Sequence, residues 1–253
     1  MRNLALLTLA LCAAPLLLRA QTPTAPDWAQ PGSATHKQIP PPKDFHRTTR
    51  TEATPIGIFD GQSDVGAALV PGSASFNPAT NQYTITSAGY NIWYSRDEFR
   101  YLWKKMSGDI SLAASITFPT PEPPSDRKVV LILRQSLTDD SPEAMAGEHA
   151  TGMVHLALRP SPGADIKDLQ VRVAGPLLPS PLPQRIGIEK HGDDFTLYLS
   201  LQGEPMHPFG PPIHLHLDPP FFVGIGFSSH LPTSLDTGVL ANVVLQNRSN
   251  AVH

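Results

Sequence analysis

Aromatic rings interleaved with amides and carboxylates are the chemistry written most plainly in this chain. Between Gly89 and Trp103 stand Tyr90, Trp93, Tyr94, Phe99, Tyr101 and Trp103, with Asn91 and Asp97 among them. A sugar ring has apolar faces and a polar edge, so stacking on aromatics plus hydrogen bonds from Asn, Asp and Arg is how a protein holds one. The candidate ligand contacts are therefore Asn91, Trp93, Tyr94 and Asp97. Arg134, which interrupts the apolar run VVLILRQSL, and His230, which ends a later apolar segment, complete the set. Packing is the competing role for the same rings. From Phe99 to Trp103 the odd positions are all aromatic, while Arg100, Leu102 and Lys104 alternate with them, so one face of that strand is core and Trp103 belongs to it. Trp93 and Tyr94 stay open between core and surface.

Cleavage of a glycan would need two carboxylates held at a set separation. No acid-x-acid-x-x-acid pattern occurs, and Asp97-Glu98 are adjacent, so they point to opposite sides of a strand. Asp139, Asp140 and Glu143 read as a proline-bounded loop and Asp193-Asp194 as a turn. No Gly-x-Ser-x-Gly elbow is present. The expectation is a module that is not an enzyme. His214-x-His216 with Asp218 has zinc-capable spacing, although a solvated strand face is the plainer reading. Asp60, Gln62 and Asp64 form an oxygen set that calcium could use, in what reads as a simple turn. No cofactor is expected beyond that one calcium option.

The elements that must position these residues are short strands. Ile110, Leu112, Ala114, Ile116 and Phe118 alternate with polar residues, a period of two with one face in a core. A polar turn at Ser95–Glu98 is expected to join the aromatic patch to this strand. Similar alternation marks Met153–Leu158, Phe195–Leu201 and Ile213–Asp218, with further strands at Ile56–Phe59, Val129–Leu137, Phe221–Ser229 and Val239–Gln246. Asp60–Asp64, Thr138–Pro142 and Pro176–Pro183 read as turns or loops. Gly224 and Gly226 share one strand face, which lowers it for a neighbouring ring to pack. About fourteen short strands, with turn signals between them, predict an all-β, two-sheet antiparallel β-sandwich of the jelly-roll kind.

Several segments in order resemble the concanavalin-A-like, laminin-G-like jelly-roll domains of secreted bacterial proteins. They are Ser63-Asp64-Val65-Gly66, Gly89-Tyr90-Asn91-Ile92-Trp93 with Asp97-Glu98-Phe99, Gly108-Asp109-Ile110, Leu133-Arg134 with Ser136-Leu137, Gly192–Thr196 and Val223–His230. Together they span most of 55–247. The family pattern has an acid where Asn91 stands, a glycine near Val130, and an Asp-Gly turn with tryptophan where this chain has Gln202–Met206. The resemblance implies the fold and a sugar-binding tendency, with no specific ligand.

Residues 1–20 read as a signal peptide: Arg2, an apolar stretch from Leu4 to Leu18, then Ala20. The single cysteine, Cys12, lies inside it, so the mature chain has no disulfide or thiol chemistry. A proline-rich arm follows at 21–51, the sandwich at 52–247 and a tail at 248–253. Without the first 20 residues, 17 basic and 22 acidic residues remain, a net charge of −5. No basic cluster could track a nucleic-acid backbone, and the mature chain offers no membrane span. The sequence thus predicts an exported, periplasmic or extracellular module binding glycan or a cell-envelope polymer. A protein-interaction or structural module of the envelope is the alternative.

Overall fold

The structure, a computed structural model, describes residues 41–120, 126–172, 185–201 and 203–252. The signal segment, the arm up to residue 40, Trp28, Gln202 and the turn 176–183 lie outside the described residues. The strands in chain order are β1 (Arg50–Glu52), β2 (Gly61–Val65), β3 (Ser73–Asn77), β4 (Gln82–Ser87), β5 (Ile92–Trp93), β6 (Arg96–Asp97), β7 (Phe99–Met106), β8 (Ile110–Thr117) and β9 (Lys128–Arg134). They continue with β10 (Glu143–His149), β11 (Met153–Arg159), β12 (Lys167–Arg172), β13 (Arg185–His191), β14 (Asp194–Ser200), β15 (His207–Pro208), β16 (Ile213–His214), β17 (Phe221–Ser228) and β18 (Asp236–Gln246).

The chain is an all-β, two-sheet antiparallel sandwich. One sheet runs β1-β2-β7-β17-β9-β10-β11-β12, the other β15-β14-β13-β8-β18-β4-β3 with β16 beside β14. Alternation explains the packing. Ile110, Leu112, Ala114 and Ile116 of β8 turn inward to meet Val129, Leu131 and Leu133 of β9 and Val223, Ile225 and Phe227 of β17. Burying each such Leu, Ile or Phe contributes about 1.5–3 kcal/mol relative to leaving it in water.

The outer face of the first sheet is covered as well, and this positions the site. A hairpin formed by β5 and β6 crosses it, so Ile92 packs on Phe99, Tyr101, Val130, Ile132, Met145 and Ala157. Hence β7 is buried on both faces, and Trp103 is core, its Nε1 donating to Ser63 Oγ at 2.9 Å. Gly226 admits the Phe99 ring, which a Cβ there would meet at 2.7 Å. This is the packing role expected of that glycine.

Four local expectations need correction. Ile56–Phe59 is not a strand: Ile56 and Phe59 bridge across a two-residue turn in which Gly57 has φ +58°. The expected turn at Asp60–Asp64 is largely strand β2, whose polar side chains are matched by Arg100 and Trp103 rather than by water. The turn of the aromatic segment lies at Tyr94-Ser95, and Arg96-Asp97 are strand. Glu143, expected in a loop, opens strand β10, to which the sequence pattern assigns no element. Its sequence, EAMAGEH, shows no apolar alternation because its outward positions carry charged and imidazole groups that are buried too.

The last residues of the arm lie against the sandwich. Arg47 N and His46 Nδ1 bond the Asp139 carboxylate, and Thr49 Oγ1 donates to Leu137 O at 2.6 Å. At the other terminus Ala251 N donates to Glu189 Oε1, and Val252 fills the space left by Gly187.

Candidate functional site

Beside the β5–β6 hairpin, on the outer face of the first sheet, a cavity of about 100 Å³ opens between Asn91, Trp93, Tyr94, Asp126, Lys128, His149, Met153, His155 and His230. Adjacent strands supply its floor. Lys128 of β9 is opposite His149 of β10, and His155 of β11 is opposite Gly147. Gly147 is required there: a Cβ would lie 2.1 Å from His155 Nε2. The imidazole of His155 therefore rests over bare backbone, 5.3 Å from the Trp93 ring and 5.1 Å from His149.

The hairpin holding Trp93 and Tyr94 is pinned by buried charge. Asp97 accepts from Arg159 Nη2 at 2.6 Å and Arg134 Nη1 at 2.7 Å, and both arginines also pair with Glu143. None of these four side chains is exposed. The two guanidiniums hold the Asp97 carboxyl down at about 2 against the opposing effect of burial. Burial pushes Glu143 up to about 7, with the neighbouring Asp97 charge adding to it. Glu98 ties the hairpin again, to Arg96 Nη2 at 2.7 Å and to Tyr90 N at 3.1 Å.

Lys128 forms the cationic floor. Its Nζ donates to Ile92 O at 2.9 Å and lies 4.8 Å from the Trp93 ring centroid. Among the described residues no carboxylate forms an ion pair with it. Burial lowers its pKa to about 7, against the pull of more distant acids such as Asp97 and Asp126. Burial, then the charge of Lys128, drives His149 and His155 well below the ordinary histidine range, so both are neutral. Neither ring nitrogen of His155, which has no solvent exposure, has a hydrogen-bond partner among the described residues.

The backbone is strained here too. Apart from asparagines, three described non-glycine residues have positive φ: Ala67, Tyr94 at +52° and His230 at +62°. Two of the three line this cavity. Such conformations cost about 1–3 kcal/mol each and persist where surrounding structure enforces them.

Of the predicted contacts, the structure brings Asn91, Trp93, Tyr94 and His230 together. Asp97 and Arg134, also expected to touch a ligand, do not reach the cavity. They are buried against each other and hold the hairpin in place. Sequence reasoning missed Lys128, His149 and His155, because no pattern marked β10 as a strand, a single histidine in the expected strand Met153–Leu158 carries no signal, and neither does a single lysine before an apolar run.

The metal-capable sets are engaged elsewhere. Asp60 accepts from Lys104 Nζ at 2.9 Å, Gln62 from Arg100 Nη2 at 2.7 Å, and Asp64 lies 3.2 Å from Arg100 Nη1. His214 bonds Asp194, and His216 bonds Asp193 and Asp218, all on the surface. Among the described residues no group of three or more His, Cys, Asp or Glu side chains is arranged to hold a metal ion. Asp109, His191 and Ser249 also meet, but both partners contact the same nitrogen, Nδ1, so no relay runs through the ring. A larger depression of about 570 Å³ lies between the arm and residues 137–140, lined by threonines and by charged groups of which His46 and Asp139 pair with each other. It offers no aromatic platform.

No family model matches the sequence, and no curated protein matches it. The fold is known. A functionally unknown protein from Saccharomyces cerevisiae superimposes with TM-score 0.52 at 12% identity, over 69% of this chain and 91% of that one. A xylan β-1,4-xylosidase from Bacillus halodurans C-125 gives TM-score 0.50 at 13% identity, over 83% of this chain and 41% of that one. A carbohydrate-binding module from Bacillus subtilis matches at TM-score 0.46 and 13% identity, over 70% and 92%. At such identities the likeness is one of fold: the jelly-roll β-sandwich that the sequence motifs resemble.

The expectation that the protein is not an enzyme does not stand. A sandwich of this shape forms about two fifths of a xylosidase, so the architecture gives no ground for excluding catalysis. Two carboxylates do come together, Asp97 and Glu143 on shared arginines, but both are fully buried and outside the cavity. Among the described residues no helix is long and apolar enough to cross a membrane.

Proposed function

We propose that the protein engages a carbohydrate at the hairpin cavity, with Trp93 and Tyr94 as the stacking surface at its mouth. The observation that carries this reading is His155, a buried imidazole with both nitrogens unmatched, set beside an aromatic wall in a cavity open to solvent. A neutral imidazole nitrogen donates or accepts according to its tautomer, so Nδ1, on the side of the ring away from Gly147, can bond a sugar hydroxyl. Leaving such a group unsatisfied costs about 1–3 kcal/mol, a cost that a ligand would offset. Asn91 adds an amide at the same rim. The occurrence of the fold in a xylosidase is consistent with glycan-directed work. Export, as the amino-terminal segment predicts, would place the protein among such polymers.

Electrophoresis through gels cast with xylan, β-glucan, galactan or polygalacturonate tests the proposal. The parent protein should be retarded by at least one polymer, and Trp93→Ala should migrate as in a blank gel while keeping its circular dichroism. Assaying new reducing ends in the same mixtures separates binding from turnover. No retardation and no product with any polymer would contradict the reading.

A further inference from the structure

We infer that the cavity selects a sugar residue bearing a carboxylate, a uronate, whose acid group enters beneath Trp93 to meet Lys128 and His155. The inference rests on the carbohydrate reading above and names its substrate class.

Size makes the first argument. At about 100 Å³ the cavity is smaller than the roughly 300–1,000 Å³ of sites that swallow a whole small molecule. One ring substituent fits, and the ring itself must stay outside against Trp93 and Tyr94. Charge makes the second. The floor holds a lysine ammonium that is 2% exposed, with one backbone carbonyl and one aromatic face as its contacts. Buried cations are ordinarily paired, because desolvation is repaid only by an opposite charge at close range. Here the partner is lacking among the described residues, while the nearest basic groups, His149 and His155, are neutral. An incoming carboxylate would supply that charge.

Donor geometry makes the third argument. A carboxylate has two acceptor oxygens, and the floor offers two distinct donors, Lys128 Nζ and one N–H of His155. Asp126, at the rim, is 41% exposed and 4.0 Å from His230 Nε2. A neutral substituent would leave the ammonium without a counter-charge and gain only the stacking.

The test compares polygalacturonate, the same polymer after carboxyl reduction, and a sulfated galactan, each by affinity electrophoresis and calorimetry. Polygalacturonate should bind at least tenfold more tightly than its reduced form and than the sulfated polymer, and Lys128→Met should abolish that preference. His155→Phe provides a second variant that keeps the ring volume and should weaken polygalacturonate at least fivefold. Equal binding of polygalacturonate and its reduced form would overturn the carboxylate inference and leave the carbohydrate reading standing. Preference for the sulfated polymer would overturn it in favour of general anion binding. A uronate preference untouched in both variants would remove it from this cavity. Failure to bind any of the three polymers and any neutral polymer alike would end both readings.

Discussion

Replacing Lys128 with methionine probes the electrostatics of the cavity floor. The lysine is buried and its pKa is lowered from 10.5 to about 7, chiefly by desolvation, with Asp97, Asp126, Glu143 and Asp168 opposing. A drop of that size is a penalty of about 5 kcal/mol on the charged form. The unfolded chain carries an ordinary lysine, so between pH 7 and 10.5 it holds a proton that the folded protein has released. The Lys128 contribution to the parent's stability therefore rises with pH across that window, and its burial cost is felt in full below pH 7. The K128M variant has no such slope. From pH 7 to pH 9 the parent should gain about 2 kcal/mol on the variant, or roughly 5 °C in Tm for a chain of this size. At pH 6 the variant should be the more stable of the two. Its advantage falls short of the whole penalty, because the hydrogen bond to Ile92 O and the packing against Trp93 are lost, about 1–2 kcal/mol. Urea unfolding of both proteins at pH 6, 7, 8 and 9 reads this directly. Parallel stability curves over pH 7–9, or a less stable variant at pH 6, would refute the reasoning.

Asp97→Ala leaves Arg134 and Arg159 short of a buried partner, and should cost about 3–5 kcal/mol, seen as a Tm lower by about 10 °C. Gly147→Ala puts a methyl group where His155 Nε2 lies, so the ring must swing into the cavity. Polysaccharide affinity should fall at least tenfold while Tm changes by only a few degrees, about 1 kcal/mol of repacking. Glu148 is buried without a hydrogen-bond partner among the described residues, and burial raises its pKa well above 4.5. The folded protein thus keeps a proton that the unfolded chain gives up above 4.5, and this group's contribution to stability falls as pH rises from there. Glu148→Met should remove that slope and be about 1–3 kcal/mol more stable at pH 7, measured by thermal unfolding at pH 4 and pH 7.

The sandwich was legible where inward residues are apolar and outward ones polar and solvated, as in β14 and the second half of β8. Period-two patterning reports a strand with one dry face and one wet face. β2 and β10 broke that rule. In β10 the outward residues Glu143, Gly147 and His149 are buried, with ion pairs and ring contacts replacing solvent. Polarity in such a strand looks like a loop until its partners are known. The aromatic half of the site was visible because Trp93 and Tyr94 cluster in sequence. Its basic half comes from three strands, β9, β10 and β11, whose registry no local pattern encodes. The roles of Asp97 and Arg134 were inverted for the same reason: acid and arginine are the right types for a sugar contact, yet here they bind each other across 37 residues.

The central claim is that a saccharide stacks on Trp93 above His155. Phenylalanine at positions 28 and 103 leaves Trp93 as the only tryptophan, and its fluorescence can then be titrated with an oligogalacturonate. The account predicts a saturable change in intensity and wavelength whose midpoint matches the calorimetric Kd. An emission spectrum that stays flat while calorimetry still reports binding would contradict it.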